Sequence, residues 1–280
     1  VLPTLGYLLT FSPRTVSRNF LSHIRDVVKT KRTRDREGVF VLEGTKPILE
    51  LVQSAPQRIV CLIVTPSFLD RQPPEVRQQV SDSGCTVHSC PEHTLAQLSD
   101  VETSTGVLAI VHQPSWNQSA ILAQPRIFGL YGDMLQDPTN MGTIIRTAAG
   151  LNVSALWLAP HSVDVFNPKV VRATAGALFQ LPIFPQTSLE ELQNLDCAIL
   201  AADAGTSEGC VPIRAIRSIP ARTVLAIGSE SRGLSEPVLD VATVRFTIPL
   251  KPGVESLNAA AAASIALFQL SGLPVDSPAA

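Results

Sequence analysis

The residues able to do chemistry fall into three short blocks. Val224–Ile227 form an apolar run that breaks into Gly228-Ser229-Glu230-Ser231-Arg232-Gly233, with a helix predicted from about Ser235. Phe246–Leu250 lead into Lys251-Pro252-Gly253-Val254-Glu255, then Ser256-Leu257-Asn258 and an alanine-rich helix. Upstream, Asp137-Pro138-Thr139-Asn140 lead into a predicted helix that carries Arg146, with Asn140 on it or just before it. Open α/β sheets bind ligands at the carboxyl ends of their strands, so two such loops close in sequence predict one pocket lined mostly by backbone. Gly228-x4-Gly233-Leu234-Ser235 has the glycine spacing of a phosphate-binding loop, but leucine stands where lysine must be. Without that cation the β- and γ-phosphates lose their main point charge, which argues against a nucleoside triphosphatase.

The side chains around these loops carry two readings each. Arg146 lies in the apolar run Ile144-Ile145-Arg146-Thr147-Ala148, where an unpaired guanidinium is costly. It therefore needs a partner, either a structural carboxylate or a substrate phosphate. Glu230 is the acid of the set, with a surface salt bridge as its plainer role. Ser256 and Asn258 are both good N-caps for the helix that follows.

Taken in order, N-x-G-x-x-x-R from Asn140, G-S-E-x-x-G-L-S from Gly228 and I-P-L…E-S-L-N-A from Ile248 closely resemble the three motifs of the SpoU (TrmH-like) RNA 2′-O-ribose methyltransferases. That family belongs to the SPOUT superfamily. The resemblance is strong over about residues 125–272, and residues 19–113 look like the substrate-binding domain that many members carry in front. It implies S-adenosylmethionine as cofactor, a deep trefoil knot and a homodimer formed through the catalytic domain. The matching positions give Arg146, Asn140, Glu230, Ser256 and Asn258 as catalytic candidates. Gly228, Ile248, Leu250 and Leu257 become cofactor-binding candidates, the last three holding the adenine. Arg172, after Asn167-Pro168-Lys169, resembles a family segment with an RNA-contact or dimer role, and a structural ion pair is its alternative. A guanidinium seldom gives up its proton, so Arg146 reads as a phosphate anchor that stabilises the developing alkoxide. Glu230 would orient Arg146, the Asn140 amide or a ribose hydroxyl. One departure from the family pattern is Ser231, where many members have glycine. Ribosomal RNA is the first-choice substrate and transfer RNA the second. A non-catalytic RNA-binding or assembly protein on the same fold is the reading from another class.

The charge pattern points the same way. The net charge is −2 over 280 residues, yet residues 14–36 hold eight basic side chains against Asp26 and Asp35. A basic segment on an acidic body implies local contact with phosphates, and Lys29, Lys31, Arg32, Arg34 and Arg36 are its RNA-binding candidates. Hydrophobic content of 45% with 16% charged residues can bury a sizeable core. Five cysteines without framework spacing fit a reducing cytoplasm. Val1–Phe11 is apolar but lacks a basic region before it, so it reads as packing or a frayed start and not as a signal peptide. No run approaches the roughly 18 apolar residues of a membrane span. Cys85-x2-His88-x-Cys90-x2-His93 brings four soft ligands together. A strand over 86–89 would separate them onto opposite faces, and no metal is expected.

The elements that must position these residues alternate along the chain. A basic helix is predicted over 19–33, strands over 38–44, 58–65, 86–89 and 106–112, and helices over 46–53, 74–83 and 92–99. After a polar, proline-bearing stretch, strands are predicted at 127–131, 155–158, 183–184, 198–202, 224–227 and 245–249. Helices fall at about 141–150, 168–175, 188–194, 235–239 and 256–270. The fold class is α/β, with a small N-terminal RNA-binding α/β domain and a C-terminal α/β knotted domain built on a mostly parallel sheet. The predicted division is an extension over 1–18, the front domain over 19–113, a linker over 114–125, the catalytic domain over 126–272 and a mobile tail over 273–280.

Overall fold

The computed structural model describes residues 14–99, 104–203 and 209–276. Expectations for residues 1–13 and 277–280 fall outside these. The chain forms two compact units, Val1–Gln113 and Pro114–Ala280.

The first unit holds strands β1 (Arg14–Thr15), β2 (Val39–Glu43), β3 (Ile59–Val64), β4 (Thr86–Ser89) and β5 (Val107–His112). Its helices are α1 (Arg18–Lys29), α2 (Lys31–Glu37), α3 (Thr45–Ser54), α4 (Pro66–Arg71), α5 (Pro74–Asp82) and α6 (Glu92–Leu98). The sheet order is β1-β4-β3-β5-β2, with β5 antiparallel to both β2 and β3. Ile24 and Val27 of α1 and Leu95 and Leu98 of α6 pack on Val39, Val41, Cys61, Ile63, Leu108 and Ile110, one face of that sheet. Successive strand residues point to opposite faces, so Phe40, Leu42, Leu62 and Ala109, all buried, belong to the other face.

The basic helix predicted over 19–33 is two helices. Thr30 is extended (φ −118°, ψ 111°) and separates α1 from α2. The turn brings Arg34 back under α1, where it is 3% exposed. Its Nη1 donates to the carbonyls of Val27 at 2.8 Å and Val28 at 2.9 Å. These are carbonyls of the last turn of α1, which need a donor from outside the helix.

The second unit holds β6 (Ile127–Gly132), β7 (Leu156–Leu158), β8 (Ile183–Phe184), β9 (Ala198–Ala202), β10 (Val211–Pro212), β11 (Arg222–Ile227) and β12 (Val244–Thr247). Between them run α7 (Gln118–Leu122), α8 (Pro138–Gly150), α9 (Pro168–Thr174), α10 (Leu189–Gln193), α11 (Glu236–Asp240) and α12 (Ala259–Ser271). Every pairing in the sheet is parallel, in the order β10-β12-β9-β11-β6-β7-β8. Ile121, Leu192, Leu195 and Val238 cover one face through Trp157, Ile199, Val224 and Ala226. On the other face α12 packs on β11 and on α8, and α8 packs on α9. The strands are buried on both sides, and that is why they are so uniformly apolar.

Two stretches differ from expectation. The predicted linker contains α7, capped by the Asn117 side chain accepting from Ala120 N–H at 3.2 Å. Behind it, the Arg222 guanidinium donates to the carbonyls of Leu122, Gln124, Leu195 and Asp196, binding α7 to the start of β11. The start of the tail, predicted to have little to pack with, pairs with Ile219: Ile219 N–H donates to Pro274 O, and Asp276 N–H to Ile219 O. Among the described residues, no helix is long and apolar enough to cross a membrane.

Candidate active site

The strand order reverses around β6, whose neighbours are β11 and β7. Ligand crevices form at such switch points, beyond the carboxyl ends of the strands. Here a cavity of about 560 Å³ lies against the ends of β9, β11 and β12. It is lined by Gly228–Leu234 after β11, by Thr247 at the end of β12 with Ile248 and Leu250 beyond it, and by Glu255, Ser256 and Leu257 ahead of α12. Asp203 closes it beyond β9. Its carboxylates (Asp203, Glu230, Glu236 and Glu255) outnumber its one guanidinium, Arg232. Such a lining suits a ligand with positive charge.

The loop after β11 is folded onto itself. Ser229 N–H donates to Gly233 O at 3.1 Å, and Gly233 N–H returns to Ser229 O at 2.9 Å. A Cβ on Gly228 would stand 2.0 Å from the Gly233 carbonyl carbon, so only glycine fits there. Gly233 takes the left-handed turn (φ 67°), and Ser231 has no positive φ. The serine that departs from the family pattern therefore strains nothing in the backbone.

Glu230, at the tip of this loop, gathers the other two motifs. Asn140 Nδ2 donates to Glu230 Oε1 at 2.6 Å. Asn258 Nδ2 donates to the same oxygen and to Asn140 Oδ1 at 3.0 Å. Each partner is held from behind. Asp137 caps α8, its Oδ1 accepting from Asn140 N–H at 2.8 Å. Asn258 caps α12, its Oδ1 accepting from Ala260 and Ala261 N–H. Helix α12 thus starts at Ala259, and Ser256 stays in the cavity wall without a capping role.

Arg146 departs from its expected setting. Helix α8 buries Met141, Gly142, Ile144, Ile145 and Ala148 and leaves Arg146 exposed with Thr139 and Thr143. No hydrogen bond or ion pair joins it to the described residues. The apolar run around it belongs to the opposite face of the helix, so no buried charge needed a partner. The i, i+3, i+4 spacing of the apolar residues was the available signal.

The comparisons with known proteins follow the same outline. Residues 128–268 match the SpoU rRNA Methylase family, and residues 23–109 match an MRM3-like substrate binding domain. An uncharacterized tRNA/rRNA methyltransferase of Synechocystis is 31% identical over 256 residues, covering 89% of each chain. The chain belongs to the SpoU rRNA methylase family. A 23S rRNA (guanosine-2′-O)-methyltransferase of Bacillus subtilis is 26% identical, covering 87% of this chain and 92% of its own. The crystal structure of an AdoMet-bound rRNA methyltransferase from Sinorhizobium meliloti superposes with a TM-score of 0.77 at 25% identity, covering 91% of this chain and 95% of that one.

Of the SpoU positions carried over from sequence, Gly228, Glu230, Ile248, Leu250, Ser256 and Leu257 share the cavity. Asn140 and Asn258 reach it through Glu230. Ile248, Leu250 and Leu257 keep apolar surface turned toward the cavity. Arg172 lies half-buried in the last turn of α9. Of the basic candidates in the first unit, Lys29, Lys31, Arg32 and Arg36 are at the surface. Lys31 bonds Asp35 at 2.5 Å, and Arg36 bonds Glu37 at 2.7 Å. Arg34 is the correction: it is buried and occupied with the end of α1, out of reach of an RNA phosphate.

The remaining candidates and omissions are structural. The four-residue Cys/His set disperses, with Cys90 in the core and the His88 ring against Phe20 at 4.3 Å. No group of three or more metal-ligating side chains occurs among the described residues. Sequence reading missed Asp133, a buried carboxylate at the end of β6. Burial, reinforced by the Asp133 charge, pushes the Tyr131 hydroxyl up to about 12. An acid directly after an apolar strand was the signal that could have found it.

Proposed function

We propose that this chain is an S-adenosylmethionine-dependent methyltransferase acting on a ribose 2′-hydroxyl of ribosomal RNA. The observation that carries the reading is the junction at Glu230, where the three motif blocks meet over a backbone-lined cavity. The similar B. subtilis protein bears the name of a 23S rRNA 2′-O-methyltransferase, and the S. meliloti structure is described as AdoMet-bound. Transfer RNA is the second substrate class.

The cavity fits that cofactor on its own terms. Ile248, Leu250 and Leu257 offer apolar surface for an adenine, and Gly228 lets backbone come close to the adenosyl group. The acidic lining suits a sulfonium. When bound, S-adenosylmethionine supplies a methyl group already activated on a cationic sulfur. The protein's own task is then placement, with the 2′-oxygen in line and at about 3 Å from the methyl carbon. Asn140, Glu230 and Asn258 form the polar wall that would hold that ribose, with Ser256 beside them. Arg146, exposed and unpaired among the described residues, is available to a neighbouring phosphate and to the charge that develops on the oxygen. Lys29, Lys31, Arg32 and Arg36 would grip the RNA backbone without reading its sequence.

The chain leaves β11, passes to β12 on the far side of β9, and returns through α12 onto β11, a path that fits the family's trefoil knot. Helix α12 exposes Ile265 (43%) and Phe268 (73%) beside the Arg146 helix, an apolar face for a second copy of the chain. All five cysteines are free thiols, in keeping with a reducing cytoplasm.

The test is methyl incorporation from labelled S-adenosylmethionine into unmodified ribosomal and transfer RNA, with 2′-deoxy controls. Incorporation that maps to a ribose of ribosomal RNA is expected. Cofactor binding with no transfer to any RNA would favour the non-catalytic alternative, and no cofactor binding would sink the proposal.

A further inference from the structure

Asp133 is a carboxylate at the end of β6, 3% exposed, that none of the roles above employs. Taking a charge out of water is costly unless hydrogen bonds offset it. Its Oδ2 accepts from Ser235 N–H at 2.7 Å, beyond the loop that follows the neighbouring strand β11. Its own N–H donates to Ile227 O at 2.8 Å. One residue thus touches both ends of the loop over 228–234. Between those ends the loop is a closed unit, joined at Ser229 and Gly233 and packed backbone to backbone at Gly228. Such a unit keeps its own shape but still needs an anchor to fix its angle to the sheet. Its entrance is fixed by the β11 pairing with β6, which runs up to Ile227 opposite Gly132. Its exit leads into α11, where Ser235 is the N-cap and its side chain makes no capping bond. Asp133 fixes this end as well, holding the Ser235 N–H from the neighbouring strand.

We propose that Asp133 is the positioning residue of the cofactor loop. By holding Ser235 N–H it sets the angle at which the loop presents its backbone to the cavity and Glu230 to Asn140 and Asn258. This rests on reading the cavity as the S-adenosylmethionine site.

The experiment uses the full chain with Asp133→Ala, Asp133→Asn and Ser235→Pro. Ser235 has φ −69°, which proline accepts, so Ser235→Pro removes the donor and sets its ring Cδ against the Asp133 carboxylate, breaking the bond from the other side. Hydrogen exchange over 228–240 is measured without cofactor, and then S-adenosylmethionine affinity and the KM for each substrate. Asp133→Ala and Ser235→Pro are expected to speed exchange in the loop and to weaken cofactor binding roughly tenfold or more. The RNA KM should change less than the cofactor affinity, because the substitutions leave Lys29, Lys31, Arg32 and Arg36 untouched. Asp133→Asn keeps an acceptor oxygen and should restore most of the affinity. Unchanged exchange and affinity in either donor-acceptor deletion would overturn the proposal, as would an asparagine variant as impaired as alanine. If the wild type binds no S-adenosylmethionine, the cavity reading fails instead, and exchange over 228–240 still decides the role of Asp133.

Discussion

Asn140 and Glu230 stand 90 residues apart in the chain and 2.6 Å apart in space, amide nitrogen to carboxylate oxygen. Asn258 donates to the same oxygen, so one atom of Glu230 collects the first, second and third motif blocks. The junction is made by the protein's own side chains, with Asn140 held by the Asp137 cap and Asn258 fixed as the cap of α12. Preorganisation of this kind is worth most where charge develops during reaction.

Glu230→Ala leaves both side-chain amides without their shared acceptor. Single-turnover methyl transfer should fall roughly 100-fold or more. Glu230→Gln keeps one acceptor oxygen and should fall less. Equal rates for the alanine variant and the wild type would show that the junction has no part in catalysis.

Arg146→Ala should separate activity from stability. The side chain is exposed and has no partner among the described residues, so the melting temperature should move by no more than about 2 °C. Methyl transfer should drop by roughly two orders of magnitude. Thermal unfolding and initial rates on the same preparation check both halves, and a destabilised variant would contradict the exposed placement.

Gly228→Ala forces a Cβ to within 2.2 Å of Gly233 C, Gly233 O and Leu234 N, all backbone atoms. The loop must open, and with it the cavity wall. Cofactor binding by calorimetry should fall below detection, while circular dichroism of the sheet persists. Retained affinity would mean that the loop takes a different path.

Much of this arrangement could be read from the sequence because it depends on order and chemistry. Strand, glycine loop and helix recur in the right sequence, and Asn140, Glu230 and Asn258 do meet, with Gly228 at the base of the loop that carries Glu230. What could not be read depends on facing. A charge run does not say which of its members turns inward, so Arg34 looked like its neighbours until the break at Thr30 placed it under α1. Arg146 looked buried because its neighbours in sequence are apolar, though they line the other side of α8. Asp133 went unnoticed because its partner, Ser235, lies on another strand's loop 102 residues away.

Phe268→Glu should test the second copy. The ring is 73% exposed on α12, so a carboxylate there costs the isolated fold little. In a dimer built on that face it would be buried without a partner. Light scattering should find the wild type dimeric and the variant monomeric at micromolar concentration. A monomeric wild type would remove the proposal.

Stability should decline at alkaline pH from both units. Burial, first among the causes, raises the thiols of Cys61 and Cys90 to about 11, and the Tyr131 hydroxyl to about 12. Each holds its proton more tightly folded than unfolded. Their contribution is complete below the unfolded values, near 9 for the thiols and 10 for the tyrosine, and is lost as pH rises through the folded ones. Denaturation midpoints measured from pH 8 to 11 should therefore fall, with the decline starting near pH 9. A flat profile would place these groups in contact with solvent.

The two ends of the Asn258 side chain face different duties. Its oxygen starts α12 and its nitrogen reaches Glu230. Aspartate would cap the helix as well, yet it would set a second negative charge against the first. Serine would cap too, but its shorter side chain has no amide to offer. A position that looks replaceable by the rules of helix stability thus answers to a second constraint, and a library screened for thermal resistance alone would favour substitutions here that break the junction at Glu230.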